Sequence, residues 1–335
     1  MKALPSKDAS QGTTFTVADF VEAGRERLCL EVLVGGKGLD RVIEEPVVNR
    51  PGLALTGFWE NFAWQRVQLF GNAEMAYAEA MGAEARVQRF QELVARKAHI
   101  FVYCGGHRPT PGLVKVAEKA GVVMLLTKLK TRIFARHATF ILEQLGAPRT
   151  SIYGTMVEVC GLGVMFEGDP GLGKSETALG LIKRGSALVA DDLTCVRKDV
   201  ATNLLFGSAS ESTAGYMEIR GIGILHVPSV FGINAVRGEK RLQLVITFKR
   251  LQDIRGEVDR IGQTRRMRTI LGVDVPNILI PVSEGRDLVN LVETAAQQQK
   301  LIMAGYDPVA NLSERLRKRA ETPPKAEKRK GKRNG

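Results

Sequence analysis

Apolar and polar positions alternate along the chain in two segments that each mix strands with helices. In the first segment, apolar residues at 99–103 and 122–126 predict two short strands, and residues 113–120 between them predict a helix. A strand–helix–strand unit of this length implies that the two strands pair in parallel.

The second segment begins after Gly, Ala, Pro and Arg at 146–149, where we predict a domain boundary. Its pattern predicts, in chain order, a hairpin at 156–159 and 164–166, a helix from Ser175 to about Arg184, a strand at 187–190, a strand at 242–248 and a C-terminal helix around 288–295. Gly185 is suited to end the first of these helices.

The positive charge is concentrated near the C-terminus. The chain of 335 residues has a net charge of +12, and residues 315–335 carry ten Lys or Arg against two Glu, so this stretch supplies eight of the twelve excess charges. It contains two prolines and almost no apolar residues, and we predict that 311–335 is a basic, disordered tail. Because the remainder is nearly balanced, a dedicated nucleic-acid partner is not expected.

Three observations limit the cellular setting. No apolar run approaches the roughly 20 residues of a membrane span. Residues 1–12 are polar and lack the apolar core of a secretion signal. The four cysteines are too widely spaced for a metal site or a disulfide framework. We therefore expect a cytoplasmic protein without a membrane partner.

A glycine-rich turn links the predicted hairpin to the helix that follows. It matches Gly-x-x-x-x-Gly-Lys-Ser at every fixed position, with Gly168, Asp169, Pro170, Gly171, Leu172, Gly173, Lys174 and Ser175. In such a Walker A loop, backbone N–H groups and the helix N-terminus surround phosphate oxygens. Lys174 is expected to reach the β and γ phosphates, and the Ser175 hydroxyl to bind Mg²⁺.

Two acidic residues follow the strand at 187–190. Asp191 and Asp192 should lie at the carboxyl edge of the sheet, where open α/β folds bind ligands. One can support the metal and the other can accept a proton, and the pattern leaves open which does which. We predict an α/β protein with an N-terminal α/β domain at 1–148 and a C-terminal phosphate-loop (Walker A) kinase domain at 149–310.

Several blocks of the second segment resemble the HPr kinase/phosphorylase family. The most specific is the Glu-Ile-Arg-Gly block within 217–224, and the others are Arg149–Asp192, Phe231-Gly232, Ala235–Arg237 and Asp259-Arg260. In the first segment the resemblance is weaker and rests mainly on Arg50–Gly57. Family members phosphorylate a serine of HPr, the small phosphocarrier of the sugar phosphotransferase system, and they assemble as hexamers. The resemblance implies this activity, and a part in regulating carbohydrate metabolism, for this chain.

The resemblance also implies substrates and site residues. ATP or pyrophosphate would donate the phosphoryl group with Mg²⁺ as cofactor, and inorganic phosphate would reverse the reaction and release pyrophosphate. Lys174 would bind phosphate, Asp192 would exchange the proton, Arg260 would be a catalytic cation, and Ser175 and Glu218 would bind Mg²⁺. Two stretches complete the site, namely a catalytic region of Met217, Glu218, Ile219, Arg220, Gly221, Ile222, Gly223, Ile224, Leu225 and His226, and a phosphorolysis loop of Pro281, Val282, Ser283, Glu284, Gly285 and Arg286. Without the resemblance, Glu218 and Arg260 would be read as ordinary surface charges.

Three positions depart from the family pattern. Tyr153 stands where His is usual, Pro170 where Ser is usual, and Ser283 where Arg is expected. Pro170 removes one N–H group from the phosphate loop. Tyrosine does not titrate near neutrality as histidine does. We therefore expect phosphorolysis to be weaker than kinase activity.

Two other functions are compatible with the same residues. The first is a phosphate-loop kinase that acts on another protein or on a small metabolite, and the three departures favour it. The second is a nucleotide-regulated protein that binds nucleic acid through the basic tail, although no aromatic and basic stacking stripe accompanies that tail.

Overall fold

The computed structural model describes residues 14–254 and 266–321, and these residues form two compact units. The first unit extends to Arg149 and also includes Lys198–Thr202, while the second comprises Thr150–Arg197 and the residues from Asn203 onward. Within the described residues, no helix is long and apolar enough to cross a membrane.

The first unit contains a five-stranded sheet in the order β1-β5-β4-β3-β2. Its elements are α1 (Val17–Leu28), β1 (Glu31–Val34), β2 (Val48–Asn49), α2 (Gly52–Thr56), β3 (Val67–Phe70), α3 (Asn72–Ala80), α4 (Ala83–Ala95), β4 (Ile100–Tyr103), α5 (Pro111–Ala120), β5 (Val123–Leu126) and α6 (Thr131–Gly146). Strands β2 to β5 pair in parallel and β1 is antiparallel to β5.

Helices cover both faces of this sheet. Ile100 and Val102 pack in a core with residues of α1 and α6, whereas Phe101 and Tyr103 pack in a second core with residues of α4 and α5. Successive side chains of a strand point to opposite faces, so strands buried on both sides must be apolar throughout. This confirms the predicted strand–helix–strand unit with parallel pairing.

The second unit is built on a nine-stranded sheet that includes a long central strand. Its elements are β6 (Arg149–Tyr153), β7 (Thr155–Val159), β8 (Leu162–Glu167), α7 (Lys174–Lys183), β9 (Ala187–Ala190), β10 (Leu193–Asp199), β11 (Leu204–Ser208), β12 (Tyr216–Ile219), β13 (Gly223–His226), α8 (Val227–Phe231), β14 (Glu239–Arg250), β15 (Arg266–Ile270), β16 (Val273–Val282), α9 (Leu288–Met303) and α10 (Pro308–Glu321). The sheet runs β6-β10-β11-β14-β8-β7-β9, and β16 pairs with β14 and β15. Strands β12 and β13 form a separate two-stranded ribbon.

Four strands of the large sheet end at one edge. Strand β14 is parallel to both β8 and β16. Strand β7 is antiparallel to both β8 and β9, so β9 runs in the same direction as β8. The carboxyl ends of β8, β9, β14 and β16 therefore lie together, which confirms the predicted position of the acidic pair relative to the glycine-rich turn.

The end of the chain differs from the prediction. Residues 311–321, predicted to be disordered, belong to helix α10. The Asp307 carboxylate accepts from the N–H groups of Val309 and Ala310 at 3.0 and 3.3 Å, and Pro308 occupies the first helical position. A Glu314–Lys318 ion pair spaced four residues apart adds local support. These helix signals outweigh the basic composition on which the prediction of disorder rests. Residues 322–335 lie outside the described part of the chain.

Candidate active site

The glycine-rich turn adopts a conformation that requires its glycines. Gly168, Gly171 and Gly173 have φ angles of +142°, +81° and +84°, in a region where side chains with a Cβ are strained. A Cβ on Gly168 would also lie 2.5 Å from the carbonyl oxygen of Phe248. The turn starts where β8 ends and leads directly into α7. The context predicted for this loop, a strand before and a helix after, is therefore present.

The Lys174 ammonium group lies inside this loop. It donates hydrogen bonds to the carbonyl oxygens of Gly168 at 2.8 Å and of Asp169 at 3.1 Å. Leu172 is buried in the same core as the α7 side chains Ala178 and Leu181, which fixes the loop to the domain. The lysine is half-buried and stands at the first position of α7, beside the free N–H groups of the helix.

The Asp191 carboxylate is the centre of the hydrogen-bond network at this edge. Its Oδ1 accepts from the hydroxyls of Thr155 at 2.8 Å and Ser175 at 3.0 Å, and its Oδ2 accepts from the backbone N–H of Glu218 at 3.0 Å. Asp191 is buried. One side chain thus joins strand β7, the first turn of α7 and the β12–β13 ribbon.

Asp192 has different surroundings. It is exposed and has a left-handed backbone with φ of +63°, a conformation that Asp tolerates better than most residues and that often marks functional sites. Its carbonyl oxygen accepts from the Gly154 N–H at 2.8 Å. Within the described residues its carboxylate has no hydrogen-bond donor, so it remains accessible from solvent.

The same backbone contact places Tyr153 next to Asp192. Tyr153 is the last residue of β6, immediately before Gly154, and its side chain is 78% exposed. Sequence reasoning alone could not locate this residue relative to the acidic pair, and the structure puts the two on neighbouring backbone segments.

The catalytic region inferred from the resemblance forms the β12–β13 ribbon. Met217 and Ile219 are buried in the core that also holds Leu172, whereas Glu218 on the opposite face is exposed. Glu218 pairs with Ile224 across the ribbon. The Asp191 contact therefore brings the Glu218 backbone N–H close to the Ser175 hydroxyl. Within the described residues, no cluster of three His, Cys, Asp or Glu residues with metal-binding geometry occurs.

The proposed phosphorolysis loop also ends at this edge. Pro281 and Val282 complete β16, and a turn closed by the Arg286 N–H to Ser283 carbonyl hydrogen bond, 3.3 Å, leads to α9. The first residue of α9, Leu288, approaches the glycine-rich turn, since its Cδ1 would lie 3.7 Å from a Cβ on Gly173. Arg260 lies outside the described residues, so its predicted role stays a prediction.

Sequence reasoning missed two contributions to the network. Thr155 is fully buried and donates to Asp191, but a single threonine in an apolar strand carries no signal of such a role. The role of Asp191 could not be assigned from the pattern, because the spacing of two adjacent carboxylates does not tell which one faces inward.

Two family models match the chain, one for each unit. The family model of the HPr Serine kinase C-terminal domain matches residues 144–316, and that of the HPr Serine kinase N terminus matches residues 15–142. The chain belongs to the HPr kinase/phosphorylase family. The two matched ranges together include most residues of both units.

Relatives within the family match over most of their length. The HPr kinase/phosphorylase of Leptospira biflexa is 38% identical over 290 residues, which cover 86% of this chain and 90% of the relative. The HPr kinase/phosphorylase of Listeria monocytogenes is 37% identical over 292 residues, covering 87% and 93%. The solved structure of the Hpr(Ser) kinase/phosphatase from Coxiella burnetii is 34% identical and covers 50% of this chain and 98% of its own, with a TM-score of 0.44.

Proposed function

We propose that this protein transfers a phosphoryl group from ATP or pyrophosphate to a serine of HPr, and that it removes the group again by phosphorolysis. The observation that carries the proposal is the Asp191 network, which gathers Ser175, Glu218 and the glycine-rich loop at one sheet edge beside the exposed Asp192. Membership of the family, whose relatives bear the name HPr kinase/phosphorylase, supports HPr as the acceptor. We propose a hexamer on the same resemblance, to be checked by analytical ultracentrifugation.

In the kinase direction, the donor phosphates occupy the loop at 168–175, where N–H groups and the Lys174 ammonium balance their charge. The serine hydroxyl oxygen of HPr forms a bond to the terminal phosphorus, and the bond from that phosphorus to the bridging oxygen breaks. Asp192 accepts the serine proton. ADP leaves when ATP is the donor, and inorganic phosphate leaves when pyrophosphate is the donor.

In the reverse direction, an oxygen of inorganic phosphate attacks the phosphorus of phosphoserine. The bond to the serine oxygen breaks, protonated Asp192 returns a proton to that oxygen, and pyrophosphate is released. Tyr153 precedes Gly154, whose N–H donates to the carbonyl oxygen of Asp192. The family usually has histidine at the position of Tyr153. A phenol seldom releases its proton near neutrality, so it cannot share the Asp192 proton as an imidazole can.

The oxygen groups near the loop fit Mg²⁺. The Ser175 hydroxyl and the Glu218 carboxylate would hold the ion, with Asp191 orienting both residues. Mg²⁺ prefers oxygen ligands and often takes only one or two from the protein, the others coming from phosphate and water. When bound, it would neutralise charge on the donor phosphates.

The proposal is tested by incubating the purified protein with ATP, Mg²⁺ and HPr and analysing HPr by mass spectrometry. We expect one phosphoryl group on one serine and none in HPr with that serine replaced by alanine. Equal modification of unrelated small proteins, with HPr unmodified, would instead support a kinase for another acceptor.

A further inference from the structure

Arg220 stands at the turn between the two strands of the β12–β13 ribbon. Gly221 follows it with φ of +84°, and the turn is closed by a hydrogen bond from the Ile222 N–H to the Ile219 carbonyl oxygen, 3.0 Å. The turn therefore carries the Arg220 side chain out beyond the last buried residue of β12, Ile219.

The Arg220 guanidinium group faces the phosphate loop. An ideal Cβ built on Gly171 would lie 3.9 Å from one terminal nitrogen and 4.0 Å from the other. The guanidinium carbon and Nε do not come within 4 Å of that point. Of the guanidinium atoms, the two terminal nitrogens are thus nearest to this point beside Gly171, and they are almost equally distant from it.

The position of Arg220 relative to the loop is fixed by buried contacts. Met217 and Ile219 on the ribbon share one core with Leu172 of the loop. The Glu218 N–H donates to Asp191, whose other oxygen holds Ser175. The three residues that precede Arg220 are therefore held either in the core shared with the loop or against Asp191.

No carboxylate neutralises this arginine among the described residues. Arg220 is exposed, and none of the ion pairs or side-chain hydrogen bonds of the described part of the chain involves it. Other arginines of this unit are paired: Arg237 with Glu158, Arg268 with Glu167, and Arg197 with Glu239. Its nitrogens remain available to an anion.

We propose that Arg220 binds the terminal phosphate of the donor with both terminal nitrogens, across the loop from Lys174. The planar fork of arginine matches two oxygens of a phosphate group, which the single ammonium of lysine does not. This inference deepens the proposed function, because it assumes that the loop at 168–175 holds the donor phosphates. Within the catalytic region, Glu218 then serves the metal and Arg220 serves the transferred phosphoryl group.

The direct test measures pyrophosphate binding by calorimetry for the wild type, Arg220→Ala, Arg220→Lys and Arg241→Ala. Arg241 is a matched control, since it is exposed, belongs to β14 and lies outside the site. We expect Arg220→Ala to weaken binding about 10- to 100-fold, as for the loss of charge-assisted hydrogen bonds. Arg220→Lys should recover only part of this loss because it keeps the charge but not the fork, and Arg241→Ala should bind as the wild type does.

The second measurement follows transfer to HPr by the same four proteins, each shown to be folded by its thermal unfolding curve. We expect Arg220→Ala to lower kcat by at least about 100-fold with ATP and with pyrophosphate. The inference would be overturned if Arg220→Ala kept its pyrophosphate affinity and turnover within three-fold of the wild type. It would also be overturned if Arg220→Lys restored both fully. If the wild type binds pyrophosphate through Arg220 but leaves HPr unmodified, only the proposed acceptor is wrong.

Discussion

Replacing Asp191 with asparagine should separate the ribbon from the rest of the site. Oδ1 of Asp191 receives two hydroxyl donors, from Thr155 and Ser175, and Oδ2 receives the Glu218 N–H. If the amide oxygen of asparagine still accepts the hydrogen bonds from the Thr155 and Ser175 hydroxyls, the NH₂ group of asparagine faces the Glu218 N–H. Two donors then face each other with no acceptor between them. The variant then loses one hydrogen bond to a charged group and leaves the half-buried Glu218 N–H without its acceptor.

The size of the effect follows from these losses. A hydrogen bond to a charged group contributes about 1.5–3 kcal/mol, and the half-buried N–H left without an acceptor can still reach water, so we expect unfolding to become easier by about 1.5–3 kcal/mol. Urea denaturation measures this change. Hydrogen exchange of the Glu218 amide should also accelerate, because this amide has lost its acceptor. Transfer to HPr should fall by about 100-fold or more, since Ser175 and Glu218 are no longer held together.

Asp274→Asn is the matched control. Asp274 is an exposed aspartate of the same unit whose carboxylate accepts one hydroxyl hydrogen bond, from Thr269 at 2.6 Å. Its replacement should change the free energy of unfolding by no more than about 0.5 kcal/mol. An Asp191→Asn protein with wild-type urea stability and unchanged Glu218 exchange would refute the reasoning.

Three further predictions concern the loop, the proton and the first unit. Lys174→Ala should abolish transfer from ATP and from pyrophosphate in the HPr assay, while Lys183→Ala in the last turn of α7 should not; activity with either donor would contradict a shared site. Tyr153→His should raise the rate of phosphorolysis relative to the kinase rate, measured on phosphoserine-HPr and HPr, and an equal fall in both would contradict the proton argument. Burial disfavours the ionised form of Glu74, but hydrogen bonds from Arg50 and from backbone N–H groups outweigh it and lower its pKa. The ionised Glu74 carboxylate thus stabilises the folded protein above the ordinary glutamate pKa, and this stabilisation is lost as pH falls through the lower pKa of the folded state. In Arg50→Gln the folded-state pKa should be less lowered. The free energy of unfolding, measured as a function of pH, should therefore fall at a higher pH than in the wild type.

Much of the second unit could be predicted from local pattern. Apolar alternation located the hairpin and the strand at 187–190, which are observed as β7, β8 and β9. The spacing of glycines and Lys174 marked a turn between a strand and a helix, since glycine adopts these φ angles with the least strain. The direction of β9 then placed Asp191 and Asp192 at the edge where the turn lies.

The remainder depends on contacts between residues distant in sequence. Thr155 and Glu218 are 36 and 27 residues from Asp191, and only the folded sheet and ribbon bring them to its carboxylate. The same is true of Arg220, whose relation to Gly171 comes from the buried side chains of the ribbon. Helix α10 is a different case, because Asp307 and Pro308 mark its start in the sequence, whereas composition alone favours disorder there.

The measurement that tests the central claim most directly follows radiolabelled inorganic phosphate added to phosphoserine-HPr and the purified protein. If one site moves a phosphoryl group between pyrophosphate and a serine of HPr, the label should appear in pyrophosphate, one molecule for each phosphoserine lost. The same sample with Lys174→Ala should form no labelled pyrophosphate. Loss of phosphoserine with release of unlabelled phosphate and no pyrophosphate would show hydrolysis by water, and it would contradict the account.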